Sequence, residues 1–244
     1  FLLAWSGHHL RRESPLVKDL LVKGEHFTEE EKSQLLALYD EVIGEVSDLY
    51  RTMEATGDIE ISVTPYAHPI LPLLCGTATA REATAGIQLP TAAFKHPEDA
   101  RLQVRLGLDF VSEKLGKKAR GMWPSEGSVS EETVRILAEE GAAWAASDEG
   151  ILARSLPGGL SDRRRLYRPY SYAGLPLIFR DRELSDRIGF VYAHWSPERA
   201  AADLIEQLKR VAGQAPDGLI PLILDGENCW ERYQDNGHPF LIAL

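Results

Sequence analysis

The chain has 244 residues, enough for one large domain or two ordinary ones, and it is expected to form a single domain over residues 1–244. Its 27 Lys and Arg stand against 37 Asp and Glu, and a net charge of −10 repels phosphate backbones. The basic run Arg163-Arg164-Arg165 lacks interleaved aromatics, so nucleic acid is not expected as a partner. Hydrophobic content of 44% is that of a soluble globular protein, and no stretch approaches the roughly eighteen apolar residues a membrane span needs.

Thr28-Glu29-Glu30-Glu31 forms a capping box, and Leu35, Tyr39, Val42, Val46, Leu49 and Met53 follow at helical spacing until Gly57, which predicts one long amphipathic helix. Ile59 to Val63 then reads as a strand running into Thr64-Pro65-Tyr66-Ala67-His68-Pro69, where two prolines forbid both continued strand and immediate helix. Pro97 opens a helix that ends at Gly116, and the strand Arg120 to Trp123 leads into Pro124-Ser125-Glu126-Gly127-Ser128. Ser130 caps a helix with Glu131 and Glu132 in its first turn, closed by Gly141. Strands are predicted at Ala142 to Ala146 and Pro176 to Phe179, and a helix from Pro197 to about Ala212. The apolar run Leu219 to Leu224 reads as a last strand, with Asp225-Gly226-Glu227-Asn228 hanging from its end.

Short apolar strands alternating with amphipathic helices imply a parallel sheet, and acids that repeatedly follow the strands mark its C-terminal face. The fold class expected is therefore α/β, a barrel in preference to an open sheet, since no glycine-rich phosphate loop follows any strand. Cys75 and Cys229 are too few and too far apart for a disulfide framework or a zinc knuckle, and read as reduced and buried, which suits a cytoplasmic setting. The apolar ends, Phe1-Leu2-Leu3-Ala4-Trp5 and Phe240-Leu241-Ile242-Ala243-Leu244, both read as cut, and the start lacks the basic leader of a signal peptide.

Cleaving a glycosidic bond takes two carboxyls, one to attack the anomeric centre and one to protonate the departing oxygen. Glu126 and Asp225 each sit just past a predicted strand, beside a glycine (Gly127, Gly226) and near a tryptophan (Trp123, Trp230) able to stack on a sugar ring. Acids at strand ends also cap helices or solvate loops, and tryptophans also pack cores, so position alone fits either role. Asp148 and Glu149 follow another predicted strand and share that ambiguity, and nothing singles out Trp195.

Two segments, Trp123-Pro124-Ser125-Glu126-Gly127-Ser128-Val129-Ser130 and Leu224-Asp225-Gly226-Glu227-Asn228-Cys229-Trp230, resemble conserved regions of glycoside hydrolase family 57. Ser62 to Leu74 and Phe179 to Phe190 are similar to two further family segments, the first to one found near the amylopullulanases, and the four occur in the family's order. The resemblance implies an incomplete (β/α)7 TIM-like barrel, retention of anomeric configuration, and action on α-glucans such as starch, glycogen, pullulan or malto-oligosaccharides. It implies Glu126 as nucleophile and Asp225 as general acid/base. His68 falls where the family places a substrate-contacting polar residue. Trp123, Trp230, Glu227 and Asp148 are assigned to substrate binding, and Arg180 with Asp181 to an ion pair that braces the site. No metal or cofactor is implied. The family's initial histidine-glutamine-proline motif and the helical region after its barrel are not found in the chain.

Transferases of the same family, 4-α-glucanotransferases and branching enzymes, use the same two carboxyls and differ in excluding water. A metal-dependent deacetylase using His8, His9, His68 and Asp225 is disfavoured because adjacent histidines in a strand point to opposite faces. A non-catalytic carbohydrate-binding protein would lack one of the carboxyls. The acid/base role implied for Asp225 requires it to hold a proton near neutral pH, and like-charge repulsion from Glu227 two residues on is one expected cause. Glu227→Gln is therefore expected to lower the alkaline limb of the pH–rate profile; an unchanged limb rules that source of repulsion out.

Overall fold

In the computed structural model, which describes residues 1–226 and 230–244, the chain opens with helices α1 (His8–Glu13), α2 (Pro15–Lys23) and α3 (Glu29–Thr56). Strand β1 (Ser62–Val63), helices α4 (Leu71–Cys75), α5 (Ala80–Ala83) and α6 (Pro97–Leu115), β2 (Gly121–Met122), α7 (Glu131–Glu139), β3 (Trp144–Asp148) and α8 (Glu149–Ser155) follow. The hairpin β4 (Tyr170–Tyr172) and β5 (Leu175–Arg180) precedes α9 (Arg182–Asp186), α10 (Pro197–Gln214) and α11 (His238–Ala243). Two units result: Phe1–Thr52, Asp186–Ile205 and Leu224–Leu244 form one, and Met53–Ser185 with Glu206–Ile223 form the other.

The first unit is helical. Its long helix α3 starts as the capping box requires, with Glu31 N–H donating to Thr28 Oγ1 at 3.2 Å and Thr28 N–H donating to the Glu31 carboxylate at 2.7 Å. Val17 and Leu20 of α2 bury against Leu35 of α3. A second cluster is aromatic: Trp230, Tyr233, Tyr192 and Phe240 pack with ring centroids 5.4–6.3 Å apart, and Tyr233 Oη donates to Ile188 O.

The second unit holds a sheet of order β1-β2-β3-β5-β4, parallel except for the β4–β5 pair. Its register sets Val63 beside Met122, Met122 beside Ala145, and Asp148 beside Arg180, so the strand ends fall in line. Met122, Ala145, Leu177 and Phe179 bury against Leu71, Val104, Leu108 and Leu137 from α4, α6 and α7. Strands on one sheet with helices between them is the alternation the sequence predicts, and the class is α/β.

Two expectations are corrected. The sheet is mostly, not wholly, parallel, because Ala173 and Gly174, both at positive φ (51° and 80°), turn β4 back onto β5 as a two-residue hairpin. Residues 219–224 form no strand among the described residues: Pro221 has no N–H to give a ladder, its carbonyl accepts from Asp181 N–H at 3.0 Å, and Ile223 N–H turns to Ser185 Oγ at 3.2 Å. Cys75 is free and buried as expected, and burial pushes its thiol up to about 11, with Glu132 adding to the rise; Cys229 lies outside the described residues. No helix among them is long and apolar enough to cross a membrane.

Glycines let the layers close. A Cβ on Gly107 of α6 would fall 2.6 Å from Thr64 O, so this glycine lets the helix lie directly on the loop after β1. On Gly121 a Cβ would fall 2.1–2.6 Å from the Trp144 indole, whose Nε1 donates to Glu60 at 2.6 Å and so holds the ring in place. Gly121→Ala is expected to destabilise the protein by about 1–3 kcal/mol or more through overpacking, read as a lower urea midpoint; an unmoved midpoint would show that Trp144 yields freely.

Candidate active site

Beyond the C-terminal end of β2 the chain makes an abrupt turn. Pro124 fixes the approach, then Glu126 (φ 56°, ψ 21°) and Gly127 (φ 65°) both take left-handed conformations. For glutamate this is strained by about 1 kcal/mol or more. The turn is closed by Gly127 N–H to Pro124 O at 2.7 Å and Ser128 N–H to Ser125 O at 3.0 Å. Ser147 of β3, wholly buried, donates its hydroxyl to Gly127 O at 2.6 Å and ties the turn to the neighbouring strand. Gly127 is required twice over, by its φ and because a Cβ there would sit 2.9 Å from the Trp123 ring and 3.4 Å from Asp148 N. The turn lifts Glu126 outward, leaving its side chain 74% exposed.

The loop after β1 reaches the same carboxylate. Gln103 of α6 anchors it, accepting Tyr66 N–H on its carbonyl at 3.0 Å and Ala67 N–H on its side-chain oxygen at 2.8 Å. His68, also left-handed at φ 56°, then places Nε2 3.3 Å from Glu126 Oε1, while its Nδ1 lies 3.2 Å from Thr64 Oγ1. His68 and Glu126, 58 positions apart in sequence, thus meet at the ends of β1 and β2, and Trp123 lies against the neighbouring Gly127.

Asp148 ends β3 and caps α8, with Oδ1 accepting Gly150 N–H at 2.8 Å and its carboxylate paired to Arg182. Asp181, 1% exposed past the end of β5, accepts Tyr167 Oη–H at 2.7 Å and Leu184 N–H at 2.9 Å and pairs with Arg163 at 3.2 Å. Arg163 also grips Glu149 with two bonds of 2.9 Å. Asp181 thus pairs with Arg163, and Arg180 donates its Nε–H to Ile223 O at 2.8 Å. Burial alone would depress the Arg163 guanidinium, but its bonds and charge pairing with Glu149, then Asp181, outweigh that and raise its pKa. Burial, then the bond to Asp181, pushes Tyr167 up to about 12. Sequence reading missed this network, noting Arg163 only as part of a basic run.

The remaining assignments fall in the helical unit. Asp225 is exposed, Trp230 is half-buried with its ring against Gly237 and Tyr233, and Glu227 lies outside the described residues. His8 lies in a helix, not a strand, pairing with Asp235 at 3.2 Å and stacking on His238. Among the described residues no three His, Cys, Asp or Glu side chains converge as metal ligands would.

The class the fold defines is α/β, a mostly parallel sheet that presents a carboxylate on a strained turn past the C-terminal end of a strand, where such sheets carry their functional loops. The particular family follows from comparison with known proteins. The family model for glycosyl hydrolase family 57 matches residues 1–244, and the chain belongs to that family. Similar solved structures include a GH57-type branching enzyme from Pyrococcus horikoshii (14% identity, TM-score 0.62, 98% of this chain and 49% of that one) and a GH57 branching enzyme from Thermococcus kodakaraensis (13%, 0.59, 97% and 52%). A 4-alpha-glucanotransferase from Thermococcus litoralis matches at 24% identity and TM-score 0.54, over 79% of this chain and 26% of that one. At these identities the likeness is one of fold, and the chain spans a quarter to a half of the length of these relatives. A search of the curated proteins gives no match.

Ser147→Ala leaves the Gly127 carbonyl buried without its donor, at an expected cost of about 1–3 kcal/mol. Equilibrium denaturation checks this, and a variant as stable as the parent would mean that the turn holds itself.

Proposed function

We propose that the chain is the catalytic part of a retaining glycosidase acting on α-glucans, with Glu126 as nucleophile. The observation that carries this reading is the placement of Glu126: a family 57 segment puts it on a doubly left-handed turn at the C-terminal end of β2, its carboxylate turned outward and met by His68. A side chain held in strained backbone geometry by buried bonds is preorganised, and preorganisation is what a nucleophile needs.

In this reading the sheet belongs to an incomplete (β/α)7 barrel forming one catalytic domain. Glu126 attacks the anomeric carbon and forms a glycosyl ester as the glycosidic C–O bond breaks. Asp225 gives its proton to the departing oxygen, then, as carboxylate, takes one from the incoming water or sugar hydroxyl that releases the glycosyl group. Retention requires the two carboxyls roughly 5–5.5 Å apart. Trp123 and Trp230 serve as sugar platforms, His68, Glu227 and Asp148 as hydroxyl partners, and Arg180 and Asp181 brace the strand ends. Trp230 has a second occupation, since it already packs against Tyr233 and Phe240.

Transfer to a sugar acceptor is the second reading, supported by the fold shared with a glucanotransferase and two branching enzymes. Product chromatography on pullulan, amylose and maltoheptaose, with the full-length protein and its Glu126→Ala and Asp225→Ala variants, separates the two. Shorter products that disappear in both variants support hydrolysis, and longer or branched ones support transfer. Unchanged substrates would contradict both.

A further inference from the structure

The pairing of His68 with Glu126 contains more than two residues, and it rests on the reading of Glu126 as nucleophile. Imidazole has two nitrogens, and in the neutral ring one donates and the other accepts. The partner of one nitrogen decides which. Here Nδ1 faces Thr64 Oγ1 at 3.2 Å and Nε2 faces Glu126 Oε1 at 3.3 Å. A carboxylate only accepts, so in the neutral ring the hydrogen stands on Nε2, Nδ1 is the acceptor and the Thr64 hydroxyl the donor.

We propose that Thr64 and His68 form a positioning relay that fixes the Glu126 carboxylate for attack. Thr64 donates to Nδ1, this holds His68 in the Nε2–H form, and Nε2–H occupies Oε1 so that Oε2 is the oxygen presented to the anomeric carbon. The fold holds each member. Thr64 sits at the end of β1 with its backbone against Gly107, where a side chain would collide. His68 and Glu126 are both held at positive φ, and these two strained backbones bring their side chains together. Asp148, at the end of the neighbouring β3, is itself paired with Arg182.

The experiment compares Thr64→Val, which keeps the shape and removes the hydroxyl, with Thr64→Ser, which keeps the hydroxyl, in the full-length protein acting on maltoheptaose. Thr64→Val is expected to lower kcat roughly tenfold, within the roughly hundredfold that mispositioning a reacting group costs, with KM changed less than about twofold. Thr64→Ser restores most of kcat. Long-range proton–nitrogen NMR of the His68 ring is expected to show the Nε2–H form in the parent and in Thr64→Ser, and a mixture of forms in Thr64→Val. If Thr64→Val matches the parent in both kcat and ring signals while Glu126→Ala is inactive, the relay is wrong and the nucleophile assignment stands. If Glu126→Ala turns over normally, both are wrong.

Discussion

The hydrogen bond from buried Ser147 to the Gly127 carbonyl is the interaction on which the arrangement of the site depends. It joins the turn after β2 to β3, and without it a left-handed glutamate has little reason to stay left-handed. The same point in the fold brings the Trp123 ring against Gly127 and the end of β3 within van der Waals reach of where a Cβ would be. Strand, turn and aromatic are interlocked there, and the exposed carboxylate is the outcome of that interlocking.

Around this point the unit divides its labour by depth. Apolar residues of β2, β3 and β5 bury against α4, α6 and α7 and set the strand ends in line. Just above them lies a polar layer in which nearly every group is paired: Asp148 with Arg182, Glu149 with Arg163, and Asp181 with Arg163 and Tyr167. Asp181 is the buried member of this set, and removing Arg163 would strand its charge, which ties the layer together even where its net contribution to stability is small. Outermost are the groups that face solvent, Glu126 and His68.

Much of this was legible in the sequence where a residue has a local reason to be where it is. Thr28, Ser130 and Gly116 mark helix ends through their own backbone bonds, and α3, α6 and α7 begin and end close to where those signals stand. The turn holding Glu126 follows a strand, as read. What escaped were features decided by distant partners. The 219–224 run looks like a buried strand from its apolarity, yet Pro221 and the demands of Asp181 and Ser185 draw it out of the ladder. Arg163 looks like one of three surface arginines until Asp181 and Glu149 are folded beside it, and the approach of His68 to Glu126 spans 58 positions that no local pattern encodes.

The central claim is that Glu126 carries the glycosyl group during turnover, and the direct measurement is to trap that species. A fluorinated α-glucosyl fluoride forms the ester through its reactive leaving group and slows its breakdown, so the labelled enzyme can be digested and its peptides weighed. The account predicts one added fluoroglucosyl mass, on Glu126, absent from Glu126→Ala. A stable label on any other residue, or steady turnover of the reagent by Glu126→Ala, would contradict it.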